Sequence, residues 1–326
     1  MEEQLKKITL ADSGRETTVL GFGGSSLMGA SSRKQSLAML ESAYDAGIRH
    51  FDVAPMYGYG EAESCLGEFL QRHRAEVTIA TKYGIPPAKN SSLIKLARKV
   101  VGPAVKALPG IKQRLAKVAN AATRNEEKAS FTAEQARASL ERSLGQLQTD
   151  RIDLWLLHEV EASDLRDDSL LRFLEDQVSS GTIGTFGVGS EGAKVGNLVA
   201  NCPAYCRVVQ YEWSVLDAPI PPGGPFRIHH RALTNNFRSL HTALAGDAGL
   251  CQRWSSSVGM DLSARHNLAR LMLKASLLAN PASVVLFSSK DPRHIRENVL
   301  AAEDASLDLP ARKLHELLQT ERLQIV

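Results

Sequence analysis

Short apolar runs recur along this chain, and between them apolar side chains return every three or four positions. The runs "TVLGFGG" (18–24), "RHFDV" (49–53), "VTIATK" (77–82) and "IDLWLLH" (152–158) predict strands. Four more follow at "TIGTFGVG" (182–189), "CRVVQYE" (206–212), "FRIHHRAL" (226–233) and "SVVLFS" (283–288). Several are apolar almost without interruption, as expected of parallel strands covered on both faces. Helical periodicity fills 33–47, 60–73, 132–147, 165–180, 191–200 and 261–279. The helix from 132 opens with Thr132 and carries Gln135 three positions later, a capping-box pattern.

Eight strands alternating with helices predict a parallel α/β fold, and eight is the number that closes a (β/α)8, or TIM, barrel. The opening "KKITLADSGRETTVLG" predicts an additional hairpin turning at Asp12-Ser13-Gly14. Residues 234–260 and the link between the sixth and seventh barrel strands are the least patterned. With no short repeat and no low-complexity linker, 1–326 is expected to form one barrel domain. A helical insertion, 83–131, is expected after the third barrel strand.

A dinucleotide-binding Rossmann domain is the rival. It needs G-x-G-x-x-G opening a helix after the first strand. Gly21, Gly23 and Gly24 are in place, but the third glycine position holds Ser26. The fingerprint fails.

Composition narrows the class further. Hydrophobic residues make up 43% and charged residues 23%, ordinary for a globular protein. No apolar run approaches the ~18 residues that span a bilayer. The start, "MEEQLKKITL", lacks a secretory layout. Four scattered cysteines suggest neither a disulfide framework nor a metal site, so a reducing cytoplasm is expected. The net charge of +3 is uneven. Nine Lys or Arg and no acid lie between Lys89 and Arg124, which leaves −6 for the rest. Apolar residues interleave with these cations at helical spacing. A helical lid over the barrel mouth is expected, with an amphipathic segment lying on an anionic membrane as the alternative. Nothing in the pattern calls for nucleic acid.

Active sites of such barrels lie at the C-terminal ends of the strands. Asp52, Lys82 and His158 close the second, third and fourth barrel strands, and Tyr57 follows in the next loop. Each alone is ordinary: a turn acceptor, a solvated lysine, a rim histidine, a packing tyrosine. Converging on one mouth, they make a proton-transfer set. A phenol is a poor acid at neutral pH, and a cation beside it lowers its pKa. Lys82 would supply the cation, Asp52 would hold it, and His158 would donate to a substrate carbonyl. The set suits carbonyl reduction, with hydride arriving on carbon while Tyr57 protonates oxygen.

These segments resemble a known family, the aldo-keto reductases. "GIRHFDVAPMYGYGEAESCLGEFL" is similar to the segment bearing that family's catalytic Asp and Tyr, "TIATKYG" to its lysine strand, and "RIDLWLLH" to its histidine strand. The resemblance covers about Leu20 to Asn298. It implies a TIM barrel that holds NADP(H) without a Rossmann domain, with NAD the alternative, and it assigns Asp52, Tyr57, Lys82 and His158 as catalytic. "GFGGSSLMG" leans toward the bacterial aldose-dehydrogenase-like branch and puts Gly23 and Gly24 beside the cofactor.

The remaining cofactor residues are also implied by the resemblance. The family's carboxamide-binding Ser-Asn pair becomes Gly189-Ser190, and Gln210 matches its carboxamide-binding Gln. Trp213 stands for the aromatic that stacks on the nicotinamide ring. "HHRALTNN" resembles the pyrophosphate loop, with Arg231 as a phosphate contact. "SSKDPRHIRENV" resembles the adenosine-phosphate segment. There Ser289, Lys290 and Arg293 lie near the phosphate, Glu297 and Asn298 match adenine contacts, and His294 replaces a clamping Arg. The expected substrate is a small carbonyl compound or sugar, with oxidation of an aldose at its anomeric carbon as an alternative direction. The family also resembles cytoplasmic β subunits of potassium channels, so a cofactor-binding interaction subunit is the alternative of a different class.

Overall fold

The computed structural model of the chain describes residues 5–29, 31–87, 130–165, 168–220 and 223–321. A hairpin comes first. Strands β1 (Lys7–Thr9) and β2 (Glu16–Thr18) pair antiparallel, with Lys7 opposite Thr18. Ser13 Oγ donates to Leu10 O at 2.6 Å and tightens the turn between them.

Strands and helices then alternate. β3 (Leu20–Gly23), α1 (Arg33–Asp45), β4 (His50–Asp52), α2 (Ala62–His73) and β5 (Thr78–Tyr83) lead to α3 (Ala133–Leu147). β6 (Ile152–His158), α4 (Asp168–Ser179), β7 (Ile183–Gly189), α5 (Gly192–Asn201), β8 (Val208–Glu212) and β9 (Phe226–His230) follow. Three helices come before the last strand: α6 (Thr234–Gly246), α7 (Ala248–Val258) and α8 (Arg265–Ala279). β10 (Val284–Phe287), α9 (Pro292–Glu303) and α10 (Asp308–Glu321) end the described chain. Each strand from β3 to β10 pairs parallel with the next, and β10 returns to β3, closing an eight-stranded barrel. The TIM barrel and its hairpin match the sequence expectation. The expected helical insertion lies almost wholly at 88–129, outside the described residues.

Helix starts follow local chemistry. Ser32 and Gln35 form a reciprocal capping box at α1. Thr132 Oγ1 accepts from Gln135 N at 3.3 Å at the start of α3.

Strand periodicity explains what fills the barrel. Alternate residues point inward, so Ala80 and Lys82 share a face, as do Leu154, Leu156 and His158. Val208 precedes Gln210, and Ile228 precedes His230, in the same way. The lower members pack with Leu10, Val284 and Leu286 into one apolar interior cluster. The upper members are polar and end at the mouth. An apolar floor beneath a polar rim is therefore written into the period of two. β4 departs from it, because inward-facing His50 lies below Asp52. His50 Nδ1 meets Thr78 Oγ1 at 3.0 Å, which in turn meets Thr17 Oγ1 at 2.6 Å. Two larger clusters lie outside the strands, one under α1–α5 and one joining Trp213 and Trp254 to α6, α7, α8 and α10.

Candidate active site

The C-terminal ends of the strands enclose a cavity of about 620 Å³. Asp52, Tyr57, Lys82 and His158 all line it. The strongest polar contact is between the first and third of these. Lys82 Nζ lies 2.5 Å from Asp52 Oδ1 and 3.1 Å from Val53 O, with the two side chains 2% and 4% exposed. Burial opposes the ammonium, but Asp52 and neighbouring groups outweigh it and raise the Lys82 pKa above the ordinary lysine value. Lys82 stays a cation.

Tyr57 stands over this pair. It opens a single 3-10 turn, Tyr57–Tyr59, pinned by Tyr57 N donating to Ala54 O at 3.0 Å. The turn needs Gly58: its φ is 59°, and a Cβ there would lie 2.6 Å from Leu27 O. Lys82 Nζ sits 5.5 Å from the phenol ring centroid. Among the described residues the Tyr57 hydroxyl has no hydrogen-bond partner, so it faces the cavity free to meet a ligand.

One sequence expectation is corrected here. Lys82 is the largest influence on Tyr57 and pulls its pKa down, as expected. Burial, the Asp52 carboxylate and Glu159 together outweigh that pull, and the phenol pKa is raised above 10. Lys82 offsets a cost of burial; it does not make the tyrosine acidic.

His158 ends β6 beside Gly189 of β7. Burial, with Lys82 and His230 nearby, lowers its pKa to about 3, so its ring is neutral and carries one N–H. His230, the last residue of β9, also lines the cavity. Burial and Lys82 lower its pKa to about 4. Sequence reasoning passed over His230 because adjacent histidines in "HHR" point to opposite faces of a strand. Only the register settles which one turns inward.

The structure distributes the remaining expected residues unevenly. Gly23, Ser190, Gln210, Arg231 and Asn298 line the cavity. Gln210 Nε2 donates to Asp52 Oδ2 at 2.8 Å. Ser190 Oγ lies 3.4 Å from Glu159 Oε2. Arg231 forms an ion pair with Glu212 at the rim. Arg231 and Glu159 both hold left-handed backbone, with φ of 59° and 56°. Such strain in non-glycine residues costs about 1–3 kcal/mol each and gathers at functional sites.

Trp213 is a correction. β8 ends at Glu212, and Trp213 N bonds back to His230 O at 3.3 Å, turning the indole out of the barrel. The ring is 4% exposed, packs 5.4 Å from His229, and donates to Ala218 O at 3.1 Å. It offers no face to the mouth. Gly24 is likewise outside the cavity lining, packed on Val53 and Leu27. Ser289 and Arg293 turn to Asp291, through contacts of 2.9 Å and 2.7 Å, while Lys290 and Glu297 are exposed. Ser288, which no sequence argument singled out, reaches the cavity in their place and donates to Gly23 O at 2.6 Å.

Comparisons with known proteins agree with the barrel fold. The profile described as "Aldo/keto reductase family" matches residues 19–222. A D-threo-aldose 1-dehydrogenase of a Pseudomonas species is 34% identical over 194 residues, covering 55% of this chain and 52% of that protein. A pyridoxal 4-dehydrogenase of Microbacterium luteolum is 43% identical over 82 residues, 24% of each chain. The matched region thus spans about half or less of these curated relatives. Among solved structures, the holo form of an aldo-keto reductase from Bacillus halodurans aligns over 95% of this chain and 96% of its own, with a TM-score of 0.66 and 18% identity. One from Klebsiella pneumoniae in complex with NADPH aligns over 98% and 95%, with a TM-score of 0.62 and 18% identity. Among the described residues, no helix is long and apolar enough to cross a membrane.

Proposed function

This chain belongs to the aldo/keto reductase family, and on that premise we propose that it is a nicotinamide-dependent oxidoreductase interconverting small carbonyls and alcohols. The observation that carries the proposal is the buried Lys82–Asp52 pair, 2.5 Å apart, beneath the free phenol of Tyr57. An ion pair this deep gives little stability by itself, because desolvation offsets its attraction. Its position against a proton donor gives it a use.

A bound nicotinamide supplies or takes the hydride. The chain's own part is proton transfer. In reduction, Tyr57 O–H gives its proton to the carbonyl oxygen as hydride reaches the carbon; oxidation returns that proton to the phenolate. Lys82 steadies the phenolate by its charge, and Asp52 keeps Lys82 in place. Neutral His158 directs its N–H at the substrate oxygen and fixes it beside Tyr57.

The mouth suits a dinucleotide. Gly23 lines it, and a Cβ there would come 2.9 Å from Ser288 Oγ. α6 begins at its edge without a side-chain cap, which leaves backbone N–H groups for an anion next to Arg231. His230 brings a flat, uncharged ring. NADP(H) is the proposed cofactor, favoured by the NADPH-bound relative. The names of two relatives, an aldose dehydrogenase and a pyridoxal dehydrogenase, favour the oxidative direction and a sugar or similar polar substrate. All four cysteines are unpaired, in keeping with a reducing, cytoplasmic setting. The test is turnover with NADP⁺, NAD⁺ and their reduced forms against a panel of free aldoses and small aldehydes. No turnover with any pair would reject the proposal.

A further inference from the structure

β6 ends at His158, and in extended backbone the next side chain would point away from the mouth. Glu159 does not. Its φ of 56° breaks the alternation, and both His158 and Glu159 line the cavity. The bend is held by Glu159 N, which donates to Gly189 O at 2.7 Å. Glycine or asparagine would adopt this backbone at less cost. A strained glutamate at the mouth of a site points to a use for its side chain.

The carboxylate is only partly neutralised. Lys194 Nζ lies 3.8 Å from Glu159 Oε2, but also 3.3 Å from Glu161 and 3.9 Å from Glu191. One ammonium serves three carboxylates. Ser190 Oγ adds a single long hydrogen bond, at 3.4 Å. The two described cations that line the cavity are already engaged, Lys82 by Asp52 and Arg231 by Glu212. His158 and His230, lowered to about 3 and about 4, carry no charge near neutrality. Among the described residues, the cavity thus holds no unpaired cation for an anionic substrate. Glu159, next to His158, keeps lone pairs to offer.

We propose that Glu159 is a specificity-determining residue: it accepts a hydroxyl from the carbon beside the reacting carbonyl and repels substrates that carry a negative charge. This rests on the functional reading above and narrows the substrate to uncharged hydroxycarbonyls. His158 directs its N–H at the reacting oxygen, so a side chain that follows it into the same cavity can meet the next substituent. A hydroxyl on a carboxylate makes a charge-assisted hydrogen bond, whereas an anion in its place meets a like charge.

Tyr57 supplies an independent readout. The charged groups facing its phenol are Lys82, Asp52, Arg231 and Glu159, with His158 and His230 neutral beside them. Glu159 is among those that raise the phenol pKa. Without its charge the phenolate that oxidation requires forms more readily. In Glu159→Gln the rising limb of the alcohol oxidation rate against pH should therefore move to lower pH. A merely structural change at the rim would not produce that displacement.

Two pairs of aldehydes test the selectivity, by reduction with NADPH or NADH. Lactaldehyde adds to propanal one hydroxyl on the carbon beside the carbonyl. Succinic semialdehyde differs from its methyl ester by a negative charge. In the parent, kcat/KM should favour lactaldehyde over propanal by about 10- to 100-fold, the worth of a hydrogen bond to a charged group. It should favour the ester over the free acid by about tenfold or more. Glu159→Gln keeps the length of the side chain and removes the charge, and both preferences should shrink to about threefold or less. Glu159→Gly removes the side chain and relieves the backbone, and it should lose both preferences even if the glutamine variant fails to fold. A parent that reduces none of these aldehydes with either cofactor overturns the functional reading and this inference with it. A parent that reduces them without either preference, or variants that keep the parental preferences and limb, overturn this inference and leave the functional reading intact.

Discussion

A methyl group placed on Gly84 would meet the carbonyl oxygen of His158 at 2.2 Å. Gly84 has φ 136°, a conformation that residues with a Cβ rarely adopt. It follows Tyr83, where β5 ends, and lets the chain pass flush against the end of β6. That contact sets the distance between Lys82 and His158 on neighbouring strands. Gly84→Ala should cost roughly 1–3 kcal/mol from backbone strain alone. It should also push His158 from its place, lowering turnover more than tenfold while dinucleotide affinity changes little. Thermal unfolding and steady-state kinetics on one preparation would check both parts. Wild-type turnover in a folded Gly84→Ala variant would show that this packing does not place the histidine.

Tyr57→Phe keeps the ring over Lys82 and removes the hydroxyl proton assigned to the substrate oxygen. Turnover should fall by roughly 10²–10⁴, the range for a lost general acid, with dinucleotide affinity within a few-fold of the parent. Near-parental turnover on a competent substrate would remove Tyr57 from the mechanism.

Lys82 and Asp52 separate structure from chemistry when changed singly and together. Lys82→Met strands a buried carboxylate and Asp52→Asn strands a buried ammonium, each at a cost of about 3–5 kcal/mol. The double variant strands neither. Its loss of stability should be well below the sum of the two, as a double-mutant cycle in denaturant would measure. Activity should not return with stability. The single Lys82→Met variant should shift the oxidation limb to higher pH, because the phenolate has lost its nearest cation.

Much of this site was legible in the sequence, and the failures have identifiable causes. The barrel strands were bounded to within a few residues because buried parallel strands are apolar runs between turns. For Ile152–His158 the bounds agree at both ends. Asp52, Lys82 and His158 could be found because each ends such a run. The helices Thr234–Gly246 and Ala248–Val258 were missed, although Phe237, Leu240 and Leu244, then Leu250, Trp254 and Val258, carry the helical spacing. Three glycines between 246 and 259 obscured two short helices in series. Trp213 misled for another reason. One residue past the end of β8, a side chain no longer obeys the strand alternation, and its direction depends on the His230 contact. The Gln210–Asp52 bond joins strands 158 positions apart and had no local signature.

Four histidines, His50 and His229 buried and His158 and His230 half-buried, predict how stability depends on acidity. His50 and His230 are lowered to about 4, and His158 and His229 to about 3, chiefly by burial. In the unfolded chain each would titrate near 6.5. Between 6.5 and the folded values, the unfolded state holds more protons, so stability rises with pH across that window and falls on acidification. The midpoint in denaturant should therefore decline as pH drops from about 7 toward 4. His229 isolates one contribution, because it lies outside the catalytic set, wedged 5.0 Å from Tyr211 and 5.4 Å from Trp213. His229→Phe should flatten the decline without affecting turnover. A pH profile of stability with the parental slope would mean that His229 is charged in the folded protein.

The last prediction concerns which dinucleotide is held. Asp291 caps α9 by accepting from Arg293 N at 2.9 Å, and it also grips the Arg293 guanidinium at 2.7 Å and 3.2 Å. The cation of Arg293 is therefore already engaged within its own turn. Lys290 is exposed and has no ion pair among the described residues. A 2′-phosphate arriving at this loop would find Lys290 free and Arg293 half-neutralised. NADPH should bind more tightly than NADH, and Lys290→Ala should narrow the gap more than Arg293→Ala does. Asp291→Asn should widen it by releasing the guanidinium, at some loss of helix capping. Raising the salt concentration should narrow it in every variant, because the contacts are exposed. Fluorescence quenching titrations with the two cofactors read all of these differences directly. Equal affinities in the parent would assign the protein to NAD and leave the cations of this loop without a role in selection.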